Sequence, residues 1–483
     1  MWGVSVDFGR PMKQFRRICA VLAILTVNHC ALIAQSPTER PNVVLIVIDD
    51  LGWKDLGCQG SDYYQTPHID RLAASGVRFT NAYAACNVCS PTRASILTGK
   101  YPARIQLTQW LPAGRWNPLQ HRLREGRFVR ELPLEEVTLA EALREHGYAT
   151  GFVGKWHLGG APFYLPEHQG FDFNVAGEDH GAPGHYFYPY KGSWLIPTTG
   201  RRVEKQTLKD GKPGEYLIDR LSREACQFIS DHADQPFFLM LSHYGVHAPL
   251  QAKQEMIEPF EAVQTEKRQG KPTYAAMVAS VDESVGNVLR TLREKGLERD
   301  TLVIFTSDNG GFAKATSNAP LRANKGSNYE GGLRVPLIIR PPNHDSPGLV
   351  SDEPVITNDL YPTVLDVLDL PFKPHQHVDG VSLSAALAGQ PLEQRDLFWH
   401  YPHYNRHPSS APSGVIRSGR WKLIEFFETG RTELYDLEAD IGETENLSGA
   451  LIRRGLQLRE RLKNWRQQVG ADHMMPNPQY EGD

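Results

Sequence analysis

The run Asn42-Val43-Val44-Leu45-Ile46-Val47-Ile48 constrains the fold of this chain more than any other segment. It is rich in β-branched residues, and after Asn42 it shows no alternation with polar positions. A strand of that composition is buried on both faces, as in a parallel sheet covered by helices. It stops at Asp49-Asp50, two carboxylates at the C-terminal end of the strand, where open α/β sheets bind their ligands. A second apolar run, Thr301 to Thr306, ends in the same way at Asp308-Asn309-Gly310-Gly311. Further elements alternate between and after these runs. Thr66 to Ala74 reads as a helix stopped by Gly76, and Val137 to His146 as a helix with Leu139 and Leu143 on one face. Ala149 to Val153 and Phe237 to Leu241 read as strands, Ser280 to Lys295 as a helix, and Val335 to Ile339 as a strand bounded by Pro341-Pro342. Strands alternating with helices predict an α/β fold with a doubly wound, mostly parallel central sheet.

After about residue 395 the pattern changes. The stretches from Gly414, Trp421 and Glu433 resemble short antiparallel strands, and Leu451 to Val469 is a charged amphipathic helix. This predicts a smaller α+β C-terminal domain over 396–483, with the main α/β domain over 35–395. The first 34 residues read as a signal peptide: Lys13, Arg16 and Arg17 precede an apolar stretch from Ile18 to Ala34. The expectation is export to the periplasm or the extracellular space, with no stable membrane span after signal removal. A net charge of −4 over 483 residues gives no basic field for nucleic acid, although a local cationic pocket is compatible with it. Of six cysteines, Cys19 and Cys30 fall in the signal, leaving Cys58, Cys86, Cys89 and Cys226, too few for a disulfide scaffold.

Several constellations carry chemistry. Cys89-Ser90-Pro91-Thr92-Arg93 opens an apparent helix that continues to Gly99. A helix N-terminus offers free N–H groups to an anion, and Arg93, one turn on, faces the same way as residue 89. Asp49, Asp50, Asp308 and Asn309 are hard oxygen ligands at the ends of two buried strands, a set that favours Ca²⁺ or Mg²⁺ over zinc. Taken singly, the first pair would also serve as a helix N-cap and the second as a turn. Lys155 and His157 alternate, so an extended segment would turn both to one face and Trp156 to the core. His243 and His247 follow a strand, and Lys325 sits in a glycine-containing segment that permits close approach to a ligand.

Cys89 to Gly99 resembles the signature of the Cys-type, formylglycine-dependent sulfatases of the alkaline phosphatase superfamily, and Gly154-Lys155-Trp156-His157-Leu158-Gly159 is similar to their second signature. The resemblance, arylsulfatase-like, runs over most of residues 41–445. It implies an alkaline phosphatase-like fold and a sulfuric ester hydrolase. It further implies that Cys89 is oxidised to formylglycine (3-oxoalanine) by a formylglycine-generating enzyme. One Ca²⁺ would be held by Asp49, Asp50, Asp308, Asn309 and residue 89. In the implied mechanism a hydroxyl of the hydrated aldehyde attacks sulfur, with Asp308 as its base or orienter. Arg93, Lys155 and Lys325 neutralise the sulfate oxygens, His247 with Lys325 protonates the departing alcohol, and His157 takes the last proton. His243 is the rim or structural histidine.

Two aromatic and histidine-rich stretches, Asp179 to Tyr190 and His400 to His407, would suit sugar rings at a rim or would pack a domain junction. The Arg-rich segment Trp110 to Arg130 would cover the pocket or form a plain loop. The expected substrate is a small sulfated molecule, a carbohydrate. Two alternatives share the core: a phosphonate or phosphate monoester hydrolase, and a carbohydrate-binding pseudoenzyme.

Overall fold

Strand β1 (Asn42–Ile48) lies at the centre of an eight-stranded sheet. The others in chain order are β2 (Val77–Phe79), β3 (Ala149–Gly154), β4 (Phe173–Val175), β5 (Phe237–Ser242), β6 (Thr301–Ser307), β7 (Leu337–Arg340) and β8 (Leu349–Ser351). Their order across the sheet is β8-β2-β7-β6-β1-β5-β3-β4. β1 runs parallel to both β5 and β6, β3 to both β4 and β5, and β2 to β8, while β7 runs against both of its neighbours. This is a computed structural model, and it describes residues 1–5, 40–111, 116–192, 207–343 and 348–481. The basic and apolar parts of the expected signal peptide, Lys13 to Ala34, lie outside the described residues, as do 112–115 of the Arg-rich segment.

The continuous apolar character of β1 has a direct structural cause. Val44, Ile46 and Ile48 point into one core, with the helices Pro67–Ala74, Leu217–Asp231 and Pro272–Glu294. Val43, Leu45 and Val47 point into the other, with the helices Cys89–Thr98, Leu139–Glu145 and Leu360–Val367. Every one of these six side chains is fully buried, each contributing about 1.5–3 kcal/mol of transfer free energy. A charge at any of them would be stranded under a helix layer. The helix expected from Val137 begins at Leu139, because Thr138 and Glu141 form a reciprocal capping box. The helix expected from Ser280 begins earlier, at Pro272, whose fixed φ suits a first helical position. The strand expected from Val335 starts at Leu337, beyond Pro336, which has no N–H to give a ladder.

Strands β9 (Asp396–Tyr401), β10 (Ser413–Ser418), β11 (Trp421–Phe426) and β12 (Thr432–Asp436) form an antiparallel sheet in that order. The helix Ile452–Gln468 packs on it through Leu458, Leu462 and Trp465. Where this sheet meets the segment after Lys325, a buried polar cluster forms. Lys422 Nζ lies 2.9 Å from Glu330 Oε1 and 2.9 Å from Glu443 Oε1. Glu330 Oε2 accepts from Arg334 Nε at 2.8 Å and from the Tyr83 hydroxyl at 2.7 Å. Glu443 Oε2 accepts from the Glu330 backbone N–H at 2.7 Å. No helix among the described residues is long and apolar enough to cross a membrane.

Candidate active site

Because β1 and β6 are parallel neighbours with Ile48 paired to Ser307, the residues that follow them emerge side by side. The Asp308 N–H donates to Ile48 O at 3.1 Å, and the Asp50 N–H donates to Asp308 Oδ1 at 3.3 Å. Asp50 itself holds φ +64°, outside the strand conformation. Asn309 Nδ2 donates to Asp50 Oδ1 at 2.8 Å. The two strand ends thus converge on one buried cluster, and β3 and β5 deliver the rest: Lys155 follows β3, and His247 follows β5.

Each buried carboxylate has a buried cation. Lys155 Nζ is 2.7 Å from Asp49 Oδ2, Lys325 Nζ contacts Asp50 Oδ1, and Arg93 grips Asp308 Oδ2 through Nε at 2.9 Å and Nη2 at 2.7 Å. Burial raises the Asp49 carboxyl to about 8, although Lys155 opposes that shift. Burial acts the same way on Asp50, yet Lys325, with His247 and Lys155, outweighs it and holds that carboxyl below the usual range. Lys325 is the mirror image: burial favours its neutral form, but Asp50 above all raises its pKa and keeps it protonated.

Cys89 is the first residue of its helix, after the extended Val88, and is almost fully buried. Ligand atoms of Asp49, Cys89 and Asp308 all lie within 4.8 Å of one another, as do those of Asp49, Asp50 and His247. Burial pushes the Cys89 thiol up, while Lys155 and Lys325 pull it down. Two oxygens in this cluster, Asp49 Oδ1 and Asn309 Oδ1, are buried without a hydrogen-bond partner. Buried polar atoms are nearly always paired, so the donor set fits a hard cation bound through oxygen. Cys58, Cys86, Cys89 and Cys226 are all free thiols.

The two histidines differ in which nitrogen is committed. His157 Nε2 contacts the Leu111 carbonyl, and Nδ1 is left buried without a partner. His247 uses Nδ1 toward Ala248 O at 2.6 Å, and its Nε2 sits 3.8 Å from Asp50 Oδ2. In their neutral forms these contacts fix the tautomers, with the lone pair on Nδ1 of His157 and on Nε2 of His247. Burial lowers both pKa values, that of His247 to about 3, helped by Lys325. His243 lies apart: fully buried, with Nε2 2.9 Å from Ser284 Oγ.

All ten expected site residues therefore meet at the strand ends, although Lys155 and His157 reach them through a different backbone geometry from the extended segment expected. Lys155 and His157 do not lie on an extended strand. β3 ends at Gly154 (φ +115°), and His157 is left-handed at φ +62°. A Cβ at Gly154 would run into Ser242 O, and one at Gly310 into Gly331 O, so both turns press backbone on backbone. Arg93 turns toward the residue 89 cluster, with its nitrogens bonded to protein groups. Its Nη1 donates to Lys155 O at 2.8 Å and contacts Ser242 Oγ, while its other nitrogens hold Asp308. Ser242 and Tyr186 are the residues that sequence reasoning missed. Ser242 Oγ donates to Lys155 O at 2.8 Å, and the Tyr186 hydroxyl contacts Tyr244 O at 2.6 Å and His247 O at 2.8 Å. Tyr186 lies in the aromatic stretch after Asp179, and its full burial makes it a packing residue there.

A mixed, mostly parallel sheet with a buried cluster of carboxylates and cations at its strand ends is the alkaline phosphatase-like α/β fold. The sulfatase family model matches residues 41–370, and that of the C-terminal region of N-sulphoglucosamine sulphohydrolase matches 323–468. The chain is 31% identical to a sulfatase of Formosa agariphila, covering 94% of both chains, and 33% identical to human arylsulfatase A, covering 90% of this chain and 88% of that one. Among solved structures, Ps i-CgsB in complex with k-i-k-neocarrahexaose superposes with a TM-score of 0.74 at 32% identity, covering 89% of this chain and 93% of that one. The chain belongs to the sulfatase family and is a sulfuric ester hydrolase.

Proposed function

We propose that the chain removes sulfate from a sulfated carbohydrate. In this reading residue 89 works as formylglycine, made from cysteine by a formylglycine-generating enzyme, and Asp49, Asp50, Asp308, Asn309 and residue 89 hold one Ca²⁺. The observation that carries it is Cys89 at the start of a buried helix, with its sulfur among the ligand atoms of Asp49 and Asp308. An oxygen donor set without histidine favours Ca²⁺ or Mg²⁺. When bound, the ion and the hydrated aldehyde supply a hydroxyl nucleophile of lowered pKa and offset charge on the sulfate.

The chain's own residues do the rest. Lys155 and Lys325 supply positive charge to the sulfate oxygens. Arg93 acts through others: by clamping Asp308, Lys155 O and Ser242 it fixes both strand ends. Lys325, protonated at rest, is the group that gives a proton to the departing alcohol oxygen. His247, neutral at rest with its lone pair on Nε2, accepts a hydrogen bond from the alcohol once Lys325 has protonated it. His157 Nδ1, buried and without a partner, accepts a proton as the product leaves. The carbohydrate substrate draws support from relatives whose names specify sugars: the N-acetylgalactosamine-6-sulfatases, and Ps i-CgsB with a neocarrahexaose. Export from the cell, and a division into a catalytic domain over 35–395 and an appended domain over 396–483, belong to the same proposal.

Mass spectrometry of the peptide bearing residue 89, after expression in the native host, should show the aldehyde; an intact thiol would overturn the nucleophile. Kinetics on matched sulfate, phosphate and phosphonate monoesters should favour sulfur. The Cys89→Ala variant should lose turnover while keeping its melting temperature.

A further inference from the structure

A cavity of about 410 Å³ opens between the segment after residue 115 and the stretch after Tyr404. Ligand-binding clefts span ~300–1,000 Å³. Its lining includes Trp116, Asn117, Gln120, His121, Asn405 and Arg406. One wall is tied to the active site by hydrogen bonds: Asn405 Nδ2 donates to Gly326 O at 3.2 Å, next to Lys325, and to the Tyr401 hydroxyl at 3.1 Å. The Gly326 N–H in turn donates to Asn87 O at 2.8 Å, which closes the link to the Cys89 loop.

The chemistry of the lining is specific. The His121 ring stacks on Tyr404 with centroids 3.8 Å apart and planes 3° from parallel. Trp116 Nε1 is engaged by Leu123 O at 2.9 Å, which fixes the indole. Asn117 and Gln120 add amide groups, and Arg406 is exposed with no carboxylate partner among the described residues. Held aromatic rings, amides and one unspent guanidinium suit a pyranose ring that bears an acidic group.

We infer that this cavity holds the sugar residue next to the one carrying the reacting sulfate, and that Arg406 pairs with a sulfate or carboxylate on that neighbour. The substrate is then an oligosaccharide with at least two anionic groups. This rests on the carbohydrate sulfatase reading above, and the test separates the two. Wild type, Arg406→Gln and Trp116→Ala are compared on an aryl sulfate and on sulfated tetrasaccharides carrying either one anionic group or several. The expected result is a wild-type kcat/KM at least tenfold higher on the best multiply anionic tetrasaccharide than on its singly charged counterpart. Arg406→Gln should abolish that gain and leave aryl sulfate turnover within twofold. Trp116→Ala should lower kcat/KM on both tetrasaccharides and spare the aryl sulfate. The inference is overturned if no tetrasaccharide outruns the aryl sulfate, or if Arg406→Gln slows both substrate classes alike or neither. Absence of turnover on the aryl sulfate and on every tetrasaccharide would instead strike the functional reading itself.

Discussion

Replacing Lys422 by methionine tests how the C-terminal sheet supports the active site. The ammonium is 1% exposed and lies 2.9 Å from both Glu330 and Glu443. Methionine fills similar volume but strands the acids. Glu330 keeps Arg334 and Tyr83, whereas Glu443 keeps only the Glu330 N–H among the bonds to its carboxylate described above. Removing one partner of a buried ion pair costs about 3–5 kcal/mol. Unfolding entropy is ~2 cal/mol/K per residue, so for the unit spanning residues 41–483 the melting temperature should fall by about 3–5 °C. The penalty has a pH signature. Burial has already pushed the Glu443 carboxyl up to about 7 against the pull of Lys422. Loss of the ammonium moves it further up, so the variant's Glu443 takes up a proton near neutrality. A carboxyl whose folded pKa is raised costs stability as pH rises through it. Lys422→Met should therefore be milder at pH 6 than at pH 8.5, and a second change, Glu443→Leu, should recover most of the loss. Calorimetry at the two pH values decides it. A shift under 1 °C at both, or a larger loss at pH 6, would refute the reasoning.

Lys325→Ala should lower kcat/KM by about 10²–10³, the scale of losing one preorganised charge contact; steady-state kinetics with unchanged efficiency would place this lysine outside the chemistry. Chelation should lower both activity and melting temperature, and excess Ca²⁺ should restore both, with ~2.7 kcal/mol regained at a hundredfold excess over Kd; Asn309→Ala should shift the Ca²⁺ dependence of the melting temperature to higher concentration. His243, held neutral by burial with its pKa lowered to about 3, costs stability as pH falls below its ordinary 6.5. That cost reaches about 2 kcal/mol at pH 5. The slope of unfolding free energy between pH 6.5 and 5 should flatten in His243→Gln, and an unaltered slope would count against the assignment.

The centre of the fold was legible because its signal is local. An apolar run closed by carboxylates names both the strand and the end at which ligands gather, and β1 and β6 each carry it. The helix from Cys89 was equally plain, since its first turn is written in consecutive residues. Helical spacing turns Arg93 toward residue 89 but does not name its partner. Asp308 and Ser242, which absorb its donors, lie 215 and 149 residues away. Glu330 hid in the same way: it sits beside the glycines after Lys325, while its buried lysine lies 92 residues further on. The short strands β2, β4 and β8, three residues each, are too brief for any periodicity to declare them. The aromatic stretch after His400 divides within itself: Tyr401 and His403 are buried, whereas Asn405 and Arg406 line a cavity. Composition alone could not have separated them.

The backbone crowding at Gly154 and Gly310 sets a limit on how this pocket can vary. Neither residue offers a functional group, yet a methyl at either would push apart the loops that carry Lys155 and Asn309. A saturation-mutagenesis map of activity should score these two positions as severely as the acids themselves, although a substrate-contact map would miss them. Diversification toward new sugars is therefore channelled away from the strand ends and into the outer walls, where side chains can change without moving the main chain.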